Sequence, residues 1–303
     1  MLDKKIYTDG KFVVVMATLC CLLWGSAYPG IKIGYKLFDI TSDIPSKFLF
    51  AGYRFFIAGL ILLVVAQLKG KSIFSISKRN FSRLFLLGAF QTSLQYIFFY
   101  IGVANTTGVK GSIMNSTVAF FSIILAHYIY ADDKLNKKKI IGCVIGFIGV
   151  IAVNFESNLL EFSFVPNGDG FVIIAALIFS IAAIYSKKLT KSMDTIVITG
   201  YSLFIGGVIL VMLGLFGGGE MSRFTIESSA VLIYLALLSS VAFSVWNLLL
   251  KYNKVGLVSV YNFLTPIFGS ILSAIFLGET ILEVKNIIAL ILVCIGIWMV
   301  NKE

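Results

Sequence analysis

Long apolar segments recur along the whole chain, and they restrict its fold more than any other feature. A helix that crosses a bilayer needs about 20 mostly apolar residues, because each residue adds about 1.5 Å of length. Ten segments reach or approach that length, which predicts an all-α integral membrane protein. They lie at 12–33, 48–68, 81–103, 109–130, 138–154, 168–186, 194–216, 228–250, 256–278 and 285–301.

Composition supports the same class of protein. The 303-residue chain is 58% hydrophobic and 13% charged, with a mean hydropathy of +0.96. Soluble domains average about 45–50% apolar and about 25% charged residues. The first 11 residues are polar and apolar segments then follow to the C-terminus, so we expect a multi-pass protein rather than a signal peptide ahead of a soluble domain.

The distribution of lysine and arginine predicts the orientation, since cytoplasmic loops of membrane proteins are enriched in both. With the N-terminus in the cytoplasm, 18 of the 25 fall on the cytoplasmic side, six fall outside and Arg54 falls within a span. We therefore predict a location in the cytoplasmic (plasma) membrane with both termini in the cytoplasm. The net charge of +10 then faces anionic lipid, and we expect no binding to nucleic acid.

The two halves of the chain resemble one another. A shift of 148 positions places GYRFFIAG, at 52–59, on GYSLFIGG, at 200–207. A shift of 147 places FIGVIAVN, at 147–154, on CIGIWMVN, at 294–301. Each half holds five predicted spans, and an odd number inverts the second half relative to the first. Inverted repeats are typical of transporters, in which the halves exchange inward- and outward-facing shapes around a site near the midplane.

Four segments carry a family resemblance. They are LLWGSAYPGIK in the first span, AGYRFFIAGLILL in the second, GVANTTGVKGSIM leading into the fourth and LTPIFGSILSAIFLGETI in the ninth. Together they resemble the EamA branch of the drug/metabolite transporter superfamily, as two copies of one unit that we place at 1–156 and 167–303. The resemblance implies ten transmembrane helices in two inverted five-helix repeats around a central cavity. Many members export amino acids or other small metabolites.

Polar and aromatic side chains inside the predicted spans are the candidates for substrate binding. Gln91 and Gln95 lie four residues apart and therefore share one helix face, where a buried amide needs a partner. That partner is either another helix or a ligand. The predicted substrate-binding residues are Trp24, Ser26, Tyr28, Gln91, Gln95, Tyr96, Tyr100, Asn115, Trp246, Asn247, Tyr261 and Asn262.

A second set of residues is predicted to have a gating or conformational role. Pro29 removes a backbone hydrogen bond in the first span, so we expect a kink about one turn before it. Arg54 lies well inside the second span, where a charge is costly. It either snorkels outward to lipid headgroups or turns inward to meet a substrate carboxylate or an acidic gate residue such as Glu279. The predicted gating residues are Pro29, Arg54, Pro266 and Glu279.

The sequence contains no motif for catalysis, metal binding or ATP binding, so we expect neither enzyme activity nor a cofactor. We expect a secondary transporter or facilitator that exports a small polar metabolite, such as an amino acid or a similar zwitterion. Its partners are the small-molecule substrate and the lipid bilayer, and we expect a monomer or a weak homo-oligomer.

Two alternatives stay open. The first is a proton-coupled exporter of cationic drugs, which usually needs a carboxylate within the membrane. All 15 Asp and Glu residues of this chain fall in predicted loops or at span ends. For the same reason, we expect no strong proton coupling through a buried acid. The second alternative is a non-transport membrane protein, such as a channel or sensor, against which the inverted repeat argues.

Overall fold

The computed structural model describes residues 2–40, 43–106, 111, 114–153, 164–277 and 284–302, and these contain helices but no strand. Two π-helical turns, at Ala89–Leu94 and Pro166–Gly170, and a 3₁₀ turn at Val260–Phe263 interrupt or precede α-helices. The α-helices are α1 Leu2–Tyr7, α2 Gly10–Leu37, α3 Ile44–Leu68, α4 Lys78–Gly88, α5 Gln95–Ala104, α6 Val118–Ile129, α7 Lys137–Val153, α8 Phe171–Leu189, α9 Thr195–Phe216, α10 Ile226–Tyr252, α11 Val255–Ser259, α12 Leu264–Leu277 and α13 Val284–Asn301.

Long apolar helices dominate the described part of the chain, as the hydropathy pattern predicts. Seven of them are long and apolar enough to cross a membrane by length and composition. The other three predicted spans coincide with the shorter helices α6, α7 and α13. The all-helical, multi-pass architecture is therefore confirmed, and the total of ten spans stays a prediction. The seven are Gly10–Leu37, Ile44–Leu68, Lys78–Ala104, Pro166–Leu189, Thr195–Phe216, Ile226–Tyr252 and Val255–Leu277.

Aspartate side chains begin three of the long helices. Asp9 accepts a hydrogen bond from the backbone N–H of Phe12 at 3.0 Å, and Asp43 accepts one from Ser46 at 2.8 Å. Asp194 caps α9 in the same way. The first N–H groups of a helix have no intrahelical acceptor, so these caps stabilise its start. Capping explains why these carboxylates lie at the ends of spans.

Helices α3 and α9 cross in an antiparallel arrangement at glycines of the repeated phrase. Gly52 approaches the carbonyl oxygen of Gly207, and Gly59 approaches that of Gly200. A Cβ atom at Gly52 would lie only 2.6 Å from the backbone nitrogen of Val211. Small residues let helix backbones come this close, which is a common packing mode between membrane helices.

Helices α7 and α13 repeat this packing mode in another part of the molecule. A Cβ atom at Gly142 would lie 2.7 Å from the carbonyl oxygen of Gly296. Around these two pairs, α2 packs against α10 and α12, and α8 packs against α5 and α6. Helix α2 runs from Gly10 to Leu37 with Pro29 inside it, so the kink expected there does not divide the helix.

Candidate functional site

A cavity of about 340 Å³ lies between helices from both halves of the chain. Helices α2, α3 and α5, together with Asn115 and the first residue of α6, line it from the first half. Helices α8, α10 and α12 and the 3₁₀ turn line it from the second. A volume of this size suits a small metabolite. Eight predicted site residues line the cavity: Trp24, Tyr28, Arg54, Gln95, Tyr96, Tyr100, Asn115 and Asn262.

Some lining residues at one end of the cavity are exposed, and we call this the open end; the other, closed end is lined by packed aromatic rings. Lys32 and Val103 are exposed at the open end, which lies toward the connection between α2 and α3. The closed end is formed by aromatic rings packed around Trp24. Its ring lies 5.0 Å from that of Trp246 and 5.5 Å from that of Phe243, between ring centres.

Arg54 points into the protein rather than outward to lipid headgroups. Its side chain is 2% exposed and lines the cavity. The guanidinium Nε donates a hydrogen bond to Ser239 Oγ at 2.8 Å, and Ser239 donates in turn to the Leu235 carbonyl oxygen. The guanidinium carbon lies 5.0 Å from the centre of the Phe55 ring. Of the two orientations that the sequence allowed, the structure has the inward one.

The two glutamines that were expected to share one helix face have different surroundings. Gln95 lines the cavity, and its Oε1 atom is buried without a hydrogen-bond partner. Gln91 does not line the cavity and instead accepts a hydrogen bond from Ser202 Oγ at 3.3 Å. Gln91 lies inside the π-helical turn Ala89–Leu94 and Gln95 directly follows it, so their relative direction differs from that in a regular α-helix.

Ser26 and Asn247 also lie away from the cavity. Ser26 is hydrogen-bonded to the Leu23 carbonyl oxygen and to the hydroxyl of Tyr234, at 2.8 and 2.6 Å. Asn247 donates to Thr199 Oγ1 at 3.0 Å and accepts from Ser186 Oγ at 3.1 Å. Their polar groups therefore join helices to one another.

The remaining predicted residues occupy supporting positions or fall outside the described chain. Trp246 and Tyr261 are buried in the core, 2% and 3% exposed, and Trp246 supports the aromatic end of the cavity. Pro29 and Pro266 are buried within α2 and α12. Glu279 lies outside the described residues, so its predicted gating role stays a prediction.

The cavity also contains residues that we did not predict as site residues. Tyr35 follows Trp24, Tyr28 and Ile31 at helical spacing, so these four form one stripe along α2. This periodicity was readable in the sequence. Other lining residues without a comparable signal are Lys32, Lys47, Phe99, Phe179 and Phe243.

The hydrogen bond of Arg54 has a counterpart in the other half of the chain. The shift of 148 positions carries Arg54 onto Ser202, and it also carries Gln91 onto Ser239. Arg54 donates to Ser239, and Ser202 donates to Gln91. Equivalent positions of the two halves therefore form two equivalent hydrogen bonds. Only the bond that involves Arg54 places a charge at the cavity.

Comparisons with known proteins agree with this architecture. A family profile described as "EamA-like transporter family" matches residues 11–155 and 166–302. An uncharacterised transporter of Archaeoglobus fulgidus is 27% identical over 88% of this chain and 89% of its own. The uncharacterised transporter YoaV of Bacillus subtilis is 26% identical over 92% of each chain. A solved crystal structure has a TM-score of 0.79 at 15% identity, covering 96% of both chains.

Proposed function

The chain belongs to the EamA-like transporter family of the drug/metabolite transporter superfamily, and from that premise we propose that it is a secondary transporter or facilitator. Its substrate is a small polar metabolite, such as an amino acid or a similar zwitterion. It exports this substrate across the cytoplasmic membrane by alternating access. In this proposal, residues 1–156 and 167–303 form two inverted units of five membrane helices each, with both termini in the cytoplasm.

Helix packing supports two inverted units related by a pseudo-two-fold axis. Such an axis pairs each unit's second helix with its counterpart, and α3 does pack on α9. It likewise pairs the fifth helices, which are α7 and α13. Contacts between different helices should recur in both directions, so the first helix of each unit should pack on the same two helices of the other, here the third and fourth. Helix α2 packs on α10 and α12, and α8 packs on α5 and α6.

The position of the cavity is the observation that carries the proposal. It lies between the two units, is open at one end and is closed by aromatic rings at the other. By the sequence-based orientation, the open end faces outside. A site between two repeats that can reach one side at a time is the arrangement that alternating access requires.

The lining of the cavity argues against the alternative of a cationic-drug exporter. Arg54, Lys32 and Lys47 line it, and no Asp or Glu is among its lining residues in the described chain. A bound cation would meet like charge without a carboxylate to pair with or to exchange for a proton.

Counterflow in proteoliposomes tests the proposal. Vesicles loaded with an unlabelled metabolite should take up the same labelled metabolite faster than protein-free vesicles. A panel of amino acids and related carboxylates covers the proposed class. Absence of counterflow for every member, with correctly inserted protein, would reject the proposed function.

A further inference from the structure

The charge of the cavity is one-sided. Lys32 and Lys47 lie toward the open end and Arg54 lies deeper, whereas the described lining residues include no carboxylate. Fields from like charges add in a cleft with apolar walls, so such a cavity concentrates ions of the opposite sign. The cavity is therefore electrostatically suited to an anion.

Arg54 is the buried part of this charge. Its Nε is used by Ser239, and its two terminal nitrogens make no hydrogen bond to any described residue. A guanidinium removed from water without an anionic partner is costly, and its fork of N–H groups matches a carboxylate. The position of Arg54 thus provides the means to hold a ligand carboxylate.

Unpaired polar atoms collect around the same space. In the described chain, eight buried side-chain N or O atoms lack a hydrogen-bond partner of normal geometry, and five of them belong to cavity residues. Among these five, the Tyr35 and Tyr100 hydroxyls lie beside each other and the Thr265 hydroxyl lies beside the Cys21 thiol, whereas Trp24 and Gln95 have no such neighbour. Buried polar groups are normally paired, so groups of this kind on a cavity wall are available to a polar solute. All but the glutamine oxygen can donate a hydrogen bond. The five are Trp24 Nε1, Tyr35 OH, Gln95 Oε1, Tyr100 OH and Thr265 Oγ1.

The walls of the cavity are aromatic. Tyr96 and Phe99 from α5 face Phe179 from α8 and Phe243 from α10. These rings bury apolar surface and stack on flat groups. A ligand with an aromatic or branched apolar body would fill the space that the polar atoms leave.

We propose that the cavity selects an organic monoanion, with its carboxylate at Arg54 and an aromatic or branched apolar body against the rings. An α-amino acid carries its ammonium group one carbon from the carboxylate, and hence near Arg54, with no described lining carboxylate to pair with it. The anion is therefore preferred to the zwitterion. This inference rests on the proposed transport function, and within its class of small polar metabolites it favours carboxylate anions over amino acids.

Three probes with one body but different charge test the inference by equilibrium binding to the purified full-length protein. They are 3-phenylpropanoate, phenylalanine and phenethylamine, which are an anion, a zwitterion and a cation at pH 7. We expect 3-phenylpropanoate to bind about tenfold or more tightly than phenylalanine, and phenethylamine most weakly. Equal or tighter binding of phenylalanine or phenethylamine would overturn the inference, as would no binding by any probe.

Variants connect the preference to Arg54. Arg54→Gln should weaken 3-phenylpropanoate binding about ten- to a hundredfold and abolish the preference over phenylalanine. Arg79→Gln removes an exposed arginine outside the cavity. It should leave unchanged both the affinity for 3-phenylpropanoate and the preference for it over phenylalanine. An unchanged preference in Arg54→Gln, with wild-type melting, would overturn the inference. Counterflow of amino acids without the anion preference would contradict this inference but leave the proposed function intact.

Discussion

At the scale of single residues, the asymmetry between Arg54 and Ser202 is the most informative feature. Both positions lie at the crossing of α3 and α9 and are paired with equivalent positions of neighbouring helices. A serine is thus sufficient to satisfy the packing there. The charge at Arg54 exceeds what the helix contact needs, which supports the proposed role of this arginine in ligand binding.

Arg54→Ser, which copies the other half of the chain, separates these two roles. We expect at least a tenfold loss of counterflow, because the carboxylate loses its cationic partner. We expect no fall in melting temperature, because a buried cation without a described counter-ion costs stability. Arg79→Ser is the matched control at an exposed arginine. Near-normal counterflow together with a lower melting temperature would support a purely structural arginine.

At the residue scale, the sequence identified cavity-lining residues where one helix face was regular. Trp24 and Tyr28 were selected on polarity and aromaticity within an apolar span, and both line the cavity with Tyr35 two turns further on. Prediction from sequence failed for Gln91, because this residue lies in a π-helical turn, a local backbone choice that hydropathy and side-chain spacing do not encode. It also failed for Ser26 and Asn247, since small polar groups between membrane helices bond helices together as readily as they bind ligands.

At the scale of helices, close backbone contact at glycine holds the central pair α3 and α9 together. Gly59→Ala should destabilise the protein by about 1–3 kcal/mol, since the new Cβ would collide with the backbone of Phe204. Gly10→Ala is the control, because a Cβ there meets no atom within 4 Å. Thermal unfolding in detergent measures both. Equal melting temperatures would contradict the packing described for α3 and α9.

A buried ion pair joins two other elements. The Lys139 ammonium lies 2.6 Å from Asp133 Oδ1, and the second oxygen of Asp133 accepts from the Gly256 N–H at 2.7 Å. The side chains are 7% and 2% exposed. This contact links the segment between α6 and α7 to the start of α11. This ion pair could not be predicted from hydropathy, because hydropathy identifies membrane spans but not the contacts between the loops that join them.

Neutralising one partner of that pair should be costly. Asp133→Asn leaves the Lys139 charge buried without its partner, so we expect a loss of about 3–5 kcal/mol in unfolding free energy. Asp132→Asn changes an exposed neighbour and should alter the unfolding free energy by less than about 0.5 kcal/mol. Thermal unfolding in detergent compares the two variants. A similar effect for both variants would contradict a specific role for the buried pair.

At the scale of the whole molecule, hydropathy was sufficient for the all-helical, multi-pass class, because apolar length is a strict requirement for crossing a bilayer. The internal repeat indicated a transporter, and four sequence segments carried the resemblance to the family. The cavity was expected from the family resemblance, but its one-sided charge was not, because Lys32 and Lys47 were counted as orientation signals at the ends of spans. Which helix faces converge on one space depends on packing that a single sequence does not display.

In the proposed alternating-access mechanism, one cavity is reached from the two sides of the membrane in turn. Ala27 lines the cavity near its aromatic end, so Ala27→Cys in a cysteine-free background reports access with a membrane-impermeant thiol reagent. Val103→Cys at the open end is the one-sided control. We predict that Ala27→Cys reacts from outside in right-side-out vesicles and from the cytoplasmic side in inside-out vesicles, whereas Val103→Cys reacts only from outside. Reaction of Ala27→Cys from one side only, in protein that still performs counterflow, would contradict the account.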